Sequence, residues 1–326
     1  MTREQATGLS VVVPLWQDRP AAENVEVGRN ADELGFDELW VGEMATYDAF
    51  ALATTIGLST NQIRLNIGPL AVAVRTPMTV AMGAASVADL TGRSVGVALG
   101  TSSDVVVGEW HGRPRNPAAR FLGQHAEATR ALLSGHKADV AGDLASTKGY
   151  RLRLAPVDGH LTVAAFGPAA VRVAARWADR MLLNMVTAPA AARLSADLAA
   201  AARDAGRPTP RLAAWLAVAV DPPDEAIKQM MRGFVAYLAA PGYAEMFEQA
   251  GFGELVAFAR TRPHPRDLLS AVPSELAESV ALVGSVADVR RRIADYRAAG
   301  VDDICLVPAT ASDNGGRRTL EALSER

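Results

Sequence analysis

This sequence of 326 residues is poor in the residue types on which several classes of function depend. Its single cysteine, Cys305, excludes an internal disulfide, and the stretch DDICLVPA around it predicts a buried strand thiol. The five histidines form no H-E-x-x-H motif and no His-x-His pair, and none lies inside a predicted strand, so we expect no metal site. No apolar run approaches the roughly 20 residues of a membrane helix, and the N-terminus lacks the features of a signal peptide. We therefore expect a soluble, cytoplasmic protein with no membrane partner.

Lysine is nearly absent, since Lys137, Lys148 and Lys228 are the only ones, and arginine supplies almost all of the positive charge. None of these lysines lies at the carboxyl end of a predicted strand, which argues against a Schiff-base aldolase. The phosphate loop G-x-x-x-x-G-K-[ST] and the nucleophile elbow G-x-S-x-G are also missing. A net charge of −3 gives no electrostatic reason to expect a nucleic-acid partner. Such a protein either takes its chemistry from an organic cofactor or has none.

Short apolar runs rich in Val, Ile and Leu alternate with helical patterns along the chain. Their apolar residues do not alternate cleanly with polar ones, which is typical of parallel strands covered on both faces. The eight runs are Leu9–Leu15, Asp37–Val41, Ile63–Gly68, Ser94–Gly100, Leu161–Phe166, Asp179–Met185, Arg211–Val220 and Asp302–Pro308.

A single β/α unit is used repeatedly. The junctions ADELGFDELWV and YRAAGVDDICLV, near the two ends of the chain, share a helix, a glycine, an apolar residue, acidic residues and a strand. Eight such units predict an α/β fold, a (β/α)8 TIM barrel forming one domain over residues 1–326. Long insertions, about 109–153 and 224–282, follow the fourth and seventh strands and are expected to act as lids or binding segments. A doubly wound fold is the alternative, but VVVPLWQDRP lacks the glycines of its dinucleotide fingerprint.

Five motifs, in this order, resemble those of the luciferase-like monooxygenase superfamily, and more narrowly its branch of oxidoreductases that depend on coenzyme F420. The resemblance spans roughly residues 9–308 and is poorest in the two insertions. The motifs are ADELGFDELWVGEM, IRLNIGPLAVAVRTPMTVA, ASVADLTGRSVGVALGTSS, VAAFGPAAVRVAARWADRMLL and LVGSVADVRRRIADYRAAGVDDICLVP.

The pair Gly68-Pro69 interrupts the third strand, where proline cannot donate to the sheet and glycine indicates a bulge. From the residues alone, an ordinary trans proline ending the strand accounts for this. In many members of the superfamily a cis peptide after the third strand supports the cofactor ring. The resemblance therefore implies a cis Gly68-Pro69 bond behind the ring.

The resemblance also implies where the cofactor's phosphate binds. Backbone N–H groups at the start of a helix bind anions without a lysine. This role falls to Thr101, Ser102 and Ser103 after the fourth strand and to residues after the fifth. Without a cofactor, both segments are ordinary helix starts. The cofactor-binding residues after the fifth strand are Phe166, Gly167, Pro168 and Ala169.

The sequence departs from the superfamily pattern at Met44, where relatives commonly have a histidine that transfers protons at the reactive face of the cofactor. Methionine cannot do this, so the resemblance implies only that Met44 contacts the cofactor. The candidate catalytic groups are then Glu43, which can instead hold a neighbouring loop, and His111, which can also be a surface residue. Arg75 can bind the phosphate or pack structurally, and Trp110 can stack on a ligand or anchor its loop.

These observations predict an enzyme that transfers a hydride between coenzyme F420 and a small organic substrate. One alternative is an FMN-dependent monooxygenase of the same superfamily, because FMN and F420 share a ring footprint and a phosphate. The other is a cofactor-free binding protein on a degenerate barrel, for which Met44 is the best argument. The resemblance further implies a homodimer.

Overall fold

The computed structural model describes residues 8–115 and 117–324 and forms a closed parallel β-barrel surrounded by helices, which confirms the predicted TIM barrel. The pairing around the barrel runs β1, β2, β3, β4, β7, β8, β9, β11 and back to β1. In chain order, the strands are β1 (Leu9–Val12), β2 (Glu38–Val41), β3 (Arg64–Ala71), β4 (Val95–Gly100), β5 (Ala138–Ala141), β6 (Ser146–Tyr150), β7 (Leu161–Ala164), β8 (Arg180–Asn184), β9 (Arg211–Val220), β10 (Leu282–Gly284) and β11 (Asp303–Pro308).

The helices that follow the strands start and end at recognisable signals. Thr76 caps α3 through its side chain, Pro77 is its first residue, and Gly92 ends it in a left-handed conformation with φ 67°. None of the helices in the described part of the chain has the length and apolarity needed to cross a bilayer. The helices are α1 (Glu23–Glu33), α2 (Ala49–Leu58), α3 (Pro77–Thr91), α4 (Ala118–Leu133), α5 (Pro168–Trp177), α6 (Ala188–Asp204), α7 (Asp224–Val235), α8 (Tyr243–Phe247), α9 (Gly253–Arg260), α10 (Pro265–Ala271), α11 (Ser274–Val280), α12 (Val286–Ala298) and α13 (Arg317–Leu323), with π-helical turns at Val105–Trp110 and Glu248–Phe252 and a 3-10 turn at Asn314–Gly316.

The two long connections have structure of their own. The first contains α4 and an antiparallel hairpin of β5 and β6. The second runs from α7 to α11 and returns as β10, which pairs with the carboxyl end of β9 outside the closed barrel. The N–H of Asp221, just after β9, donates to the carbonyl of Gly284 at 2.8 Å. The second connection therefore leaves the barrel and rejoins it at one point.

Side chains inside the barrel form an apolar cluster separate from the larger core between strands and helices. Cys305 is fully buried in this inner cluster, as its sequence context predicts. The members of the inner cluster are Val12, Trp40, Ala98, Leu182, Ala213 and Cys305.

A buried charge network fills the amino-terminal end of the barrel, below the apolar cluster. Arg180, the first residue of β8, is 2% exposed. Its Nη1 donates to Glu38 Oε2 at 2.8 Å, and its Nε lies 3.3 Å from Asp303 Oδ2. Its guanidinium also lies 5.1 Å from the centroid of the Trp40 ring. The first residues of β2, β8 and β11 are thus tied together at the end of a TIM barrel that usually serves stability.

Candidate functional site

Backbone strain is concentrated at the opposite, carboxyl-terminal end of the barrel. Five residues other than glycine adopt a left-handed conformation within four positions of the end of a barrel strand. Such conformations cost about 1–3 kcal/mol and cluster at ligand sites. Together with the general location of active sites in TIM barrels, they identify this face as the candidate site. The five are Leu15 (φ 52°), Ser102 (φ 53°), Met185 (φ 48°), Asp221 (φ 44°) and Ser312 (φ 64°).

The Gly68-Pro69 peptide bond is cis, as the resemblance predicted. The β3–β4 pairing shifts register between Ile67 and Leu70, so a bulge accompanies it. Gly68 has φ 120°, and a Cβ there would lie 2.2 Å from the carbonyl oxygen of Ala98. Only glycine fits this close approach of two backbones. The role of Gly68 and Pro69 behind a cofactor ring stays a prediction.

Small residues line the mouth of the barrel beside this bulge. A Cβ on Gly100, the last residue of β4, would lie 3.2 Å from Pro69 Cβ and 3.6 Å from Ala164 Cβ. Ala164 ends β7, the strand that pairs with β4. Pro69, Gly100 and Ala164 therefore form an apolar floor at the carboxyl ends of β3, β4 and β7. None of the three has a long side chain, so the floor is suited to a flat ring.

A polar segment borders this floor. Arg115 Nε donates to the carbonyl of Ser102 at 2.8 Å, and its Nη2 lies 3.4 Å from Thr101 Oγ1. Ser103 Oγ accepts from the N–H of Val106 at 3.2 Å and so caps the π-helical turn. Arg115 also pairs, at 3.7 Å, with the exposed Asp104. A guanidinium thus lies beside the residues predicted to bind a phosphate.

Arg115 is a residue that the sequence did not reveal. It lies in the connection that matches the superfamily poorly, and no spacing rule relates it to Thr101. The only signal was the run RPR, which by itself is common on protein surfaces.

The start of α5 lies at the neighbouring strand end. Gly167 precedes the helix, Pro168 is its first residue, and a Cβ on Gly167 would meet nothing within 4 Å. The first amides of α5, including that of Ala169, lie at the open start of the helix, where anions are favoured. Phe166 differs from the other predicted cofactor residues, because its ring packs against Tyr243 with centroids 4.8 Å apart.

Glu43 follows β2 and accepts a hydrogen bond from Arg75 Nε at 3.0 Å and a second from Arg75 Nη2. Arg75 also pairs with Asp48, which caps α2 by accepting from two backbone N–H groups. Burial alone would raise the pKa of Asp48, but hydrogen bonds from the Ala51 N–H and from Arg75 outweigh it and lower the pKa. Its hydrogen bonds to Glu43 raise the pKa of Arg75. The three charges connect the β2 loop to the β3 loop.

The remaining predicted residues are more exposed. Met44 lies next to Glu43 and is 41% exposed, and Trp110 is 54% exposed at the end of the π-helical turn. His111 follows as an exposed residue whose N–H donates to the Val106 carbonyl. Within the described residues no hydrogen bond or ion pair joins Glu43 to His111, so the two predicted catalytic groups do not form a pair.

Two tyrosines from the second long connection reach the barrel mouth, and the sequence did not predict them. Asn184, the last residue of β8, donates through Nδ2 to the Tyr243 hydroxyl at 3.3 Å. The ring of Tyr237 lies 4.9 Å from that of Tyr243. The side chains of Asn184, Phe166 and the two tyrosines therefore form one group at the ends of β7 and β8.

A cavity of about 360 Å³ lies between α6, the π-helical turn Glu248–Phe252, α11 and α12, with Arg193, Glu278 and Arg292 in its wall. Residues of mixed charge line it, and none of the predicted site residues does. Among the described residues, no group of three or more His, Cys, Asp or Glu side chains could hold a metal ion.

The sequence profile of luciferase-like monooxygenases matches residues 3–303, almost the whole length of this barrel. The chain belongs to the luciferase-like monooxygenase family. This finding confirms the resemblance on which the cofactor prediction rests.

Within the luciferase-like family, the chain is similar to a Mycobacterium tuberculosis protein provisionally named a coenzyme F420-dependent oxidoreductase. The two are 24% identical over 98% of this chain and 99% of the relative.

Two solved structures of F420-dependent enzymes share the fold. The tetrahydromethanopterin reductase of Methanopyrus kandleri has a TM-score of 0.81 at 19% identity, over 97% of each chain. A secondary alcohol dehydrogenase in complex with an F420–acetone adduct has a TM-score of 0.77 at 18% identity, over 97% of this chain and 99% of the other. At these identities the likeness shows the luciferase-like fold alone.

Proposed function

We propose that this luciferase-like oxidoreductase transfers a hydride between coenzyme F420 and a small organic substrate at the carboxyl-terminal mouth of the barrel. One observation carries the proposal: a floor of small residues (Pro69, Gly100 and Ala164) adjoins a polar segment with a guanidinium, that of Arg115. A flat ring with a phosphate-bearing tail has the same two parts. The named activities of the Mycobacterium tuberculosis relative and of both solved structures support F420 as that group.

The residues divide into those that hold the ring and those that hold the phosphate. Gly68, Pro69, Gly100 and Ala164 support and shield the ring. Thr101 and Ser103 hydroxyls, the Arg115 guanidinium and the first amides of α5 bind the phosphate. The deazaflavin, when bound, supplies the hydride chemistry, and the protein contributes position and exclusion of water.

Arg75 is not assigned to the phosphate. Its Nε and Nη2 donate to Glu43 and Asp48, and the two carboxylates neutralise its charge. Glu43 in turn holds the β2 loop in place, and Met44, beside it, offers an apolar side chain at the mouth.

An FMN-dependent monooxygenase is the second candidate, because the family that the chain belongs to is named for that reaction. FMN would use the same floor and the same phosphate segment. A cofactor-free binding protein is the third candidate, and the exposed Met44 in place of a proton-transferring side chain is its main support.

Titration of the protein with F420, FMN and the phosphate-free deazaflavin chromophore, followed by fluorescence, separates these candidates. Micromolar or tighter binding of F420, with weaker binding of FMN and of the phosphate-free compound, supports the proposal. Preference for FMN, together with oxygen consumption, replaces it with the monooxygenase. Binding of none of the three removes the enzyme assignment.

We also propose that the protein is a homodimer, as the resemblance implies. Light scattering coupled to size-exclusion chromatography tests this, and a mass of one chain contradicts it.

A further inference from the structure

We propose that Tyr237 and Tyr243, positioned by Asn184, bind the oxygen atom of the substrate and restrict the substrate class to small neutral carbonyl or hydroxyl compounds. This inference rests on the proposed hydride-transfer function and names the part of the site that receives the substrate.

The location of Asn184 follows from strand alternation. Leu182, two residues earlier on β8, belongs to the cluster inside the barrel, and side chains two apart on a strand share a face. Asn184 is the last residue of the strand, so its amide stands at the top of the barrel interior. Its partner Tyr243 therefore lies over the mouth, at the face identified above.

The aromatic contacts hold the tyrosines there. Tyr243 packs on Phe166 at 4.8 Å and on Tyr237 at 4.9 Å. The turn between the tyrosines also rests on the barrel, since a Cβ on Gly242 would lie 3.3 Å from the Phe166 ring. Phe166 is thus in contact with the second long connection, which covers the ends of β7 and β8.

The hydrogen bond between Asn184 and Tyr243 leaves a donor unused. The amide Nδ2 can only donate, so the tyrosine oxygen accepts and its own proton is directed elsewhere. Among the described residues, no hydrogen bond has the Tyr243 hydroxyl as its donor. A half-buried hydroxyl that is fixed by a neighbour and has a free proton is suited to donate to a ligand oxygen.

The electrostatics favour a neutral ligand. Burial raises the pKa of both tyrosines, and this effect outweighs the lowering by the hydrogen bond with Asn184. The hydroxyls therefore stay protonated at neutral pH. The side chains recorded in contact with the two tyrosines, Phe166 and Asn184, are uncharged, so a charged substrate would find no counter-charge beside them. The oxygen of a ketone or an alcohol can be bound by the hydroxyl donor alone.

The alternative role is structural: the tyrosines could serve only to attach the second connection to the barrel. Tyr243→Phe and Tyr237→Phe separate the two roles, because each removes a hydroxyl and keeps the ring packing. Tyr150→Phe, in the hairpin away from the mouth, is the matched control.

The first measurement uses the protein without cofactor and cyclohexanone labelled with ¹³C at the carbonyl. Donation of a hydrogen bond moves the carbonyl resonance, so we expect a saturable shift with the wild type and with Tyr150→Phe. The dissociation constant should rise about tenfold in Tyr243→Phe, the value of one lost hydrogen bond. An equal shift and affinity in both mouth variants overturns the inference.

The second measurement compares F420 affinity, unfolding midpoint and steady-state kinetics on small ketones and secondary alcohols. We expect KM to rise about tenfold in the mouth variants, with F420 affinity and unfolding midpoint unchanged. Loss of stability without a change in KM identifies a structural role and overturns the inference. Binding of F420 by the wild type, with ketone affinity independent of the tyrosines, leaves the proposed function standing while the inference fails. Failure of the wild type to bind F420 removes the proposed function, on which the inference rests.

Discussion

Arg75 and Glu43 form a two-point ion pair that ties the loop after β3 to the carboxyl end of β2. Arg75 Nε donates to Glu43 Oε2 at 3.0 Å, and Nη2 contacts the other carboxylate oxygen. The same guanidinium pairs with Asp48 and lies 5.0 Å from the centroid of the Phe50 ring. The backbone carbonyl of Arg75 is itself held by His125 from α4. One arginine therefore connects three elements beneath the predicted site.

Replacing Arg75 by alanine should destabilise the protein by about 1–3 kcal/mol, since the pair is less buried than a core ion pair but more than a surface one. Urea denaturation measures the change. The matched control is Arg120→Ala, because the Arg120–Asp143 pair is far more exposed. Its cost should stay below about 1 kcal/mol. Equal effects of the two substitutions would show that the mouth pair has no special structural role.

His125 should make stability depend on pH. Its Nε2 lies 2.9 Å from the Arg75 carbonyl, which can only accept, so Nε2 carries the proton and Nδ1 accepts from Thr129. Burial lowers the pKa of His125 to about 4. In the unfolded chain His125 is protonated below its ordinary pKa of about 6.5, whereas in the folded chain it stays neutral down to about pH 4. The free energy of unfolding therefore falls as the pH drops from about 6.5 to about 4.

The full loss attributable to His125 is about 3 kcal/mol. His125→Gln, which can still donate to the carbonyl, should remove this part of the pH dependence. The exposed His111, changed to glutamine, should leave it intact. Urea midpoints measured across this pH range test both, and an unchanged slope in His125→Gln would contradict the assignment.

Arg180→Met should be the most destabilising change at the amino-terminal end of the barrel, by up to about 3–5 kcal/mol, because Glu38 and Asp303 lose their buried partner and keep only the more exposed Arg64 and Arg211. Burial raises the pKa of Glu38, but the hydrogen bond and charge of Arg180 lower it below its ordinary value. The stability from this pair is therefore present above the ordinary carboxyl pKa and lost as pH falls through the folded one. The difference in the free energy of unfolding between the wild type and Arg180→Met should therefore decrease at acidic pH.

Guanidinium or thermal unfolding at pH 7 and in acid measures this difference. Adding Glu38→Gln to Arg180→Met should restore part of the stability, since the two residues are in contact. Arg291→Ala, an exposed pair within α12, serves as the surface control.

Gly68→Ala should cost more than about 3 kcal/mol or prevent folding, because its Cβ would meet the Ala98 carbonyl oxygen at 2.2 Å and φ is 120°. Gly92→Ala is the control, since Gly92 has φ 67° and open space around it. That change should cost about 1–2 kcal/mol. Thermal unfolding compares the two, and similar midpoints would mean that β3 can shift at the bulge.

Arg115→Ala should weaken F420 binding about tenfold to a hundredfold, the range for a lost hydrogen bond to a charged group. Affinity for the phosphate-free deazaflavin should not change, because that compound lacks the group that Arg115 binds. The exposed neighbour Arg113, changed to alanine, controls for the loss of one positive charge. Equal weakening of both ligands would place Arg115 at the ring instead.

The sequence predicts the barrel well, because each strand carries its own apolar pattern and the helices between strands carry their own caps. It predicts strand ends less well. β3 was expected to end at Gly68 but continues to Ala71, since Leu70 and Ala71 pair again with β4 beyond the bulge. The first strand was expected to reach Leu15 and ends at Val12. The hydrophobic pattern of a strand does not indicate where its hydrogen bonding to the neighbouring strand stops or resumes.

The candidate site could be predicted only where the residues follow barrel strands. Thr101 and Gly167 occupy such positions, and their neighbourhood follows from the order of the strands. Arg115, Tyr237 and Tyr243 belong to the long connections, and where a connection docks depends on contacts far apart in sequence. The sequence around Tyr243 does not distinguish it from other tyrosines, and only its hydrogen bond with Asn184 in the structure places it at the site.

The hydrogen bond from Asp221 to Gly284 has a consequence for how this protein can change. The segment between them starts and finishes at one place on the rim, and the barrel's charge network lies at the far end. A homologous segment of different length could therefore replace it without altering the strand order or register of the closed barrel, provided that it keeps the pairing of β10 with β9. We expect chimeras joined at these two residues to fold. Their substrate range should follow the source of the exchanged segment, and their cofactor should remain that of the protein that supplies the barrel.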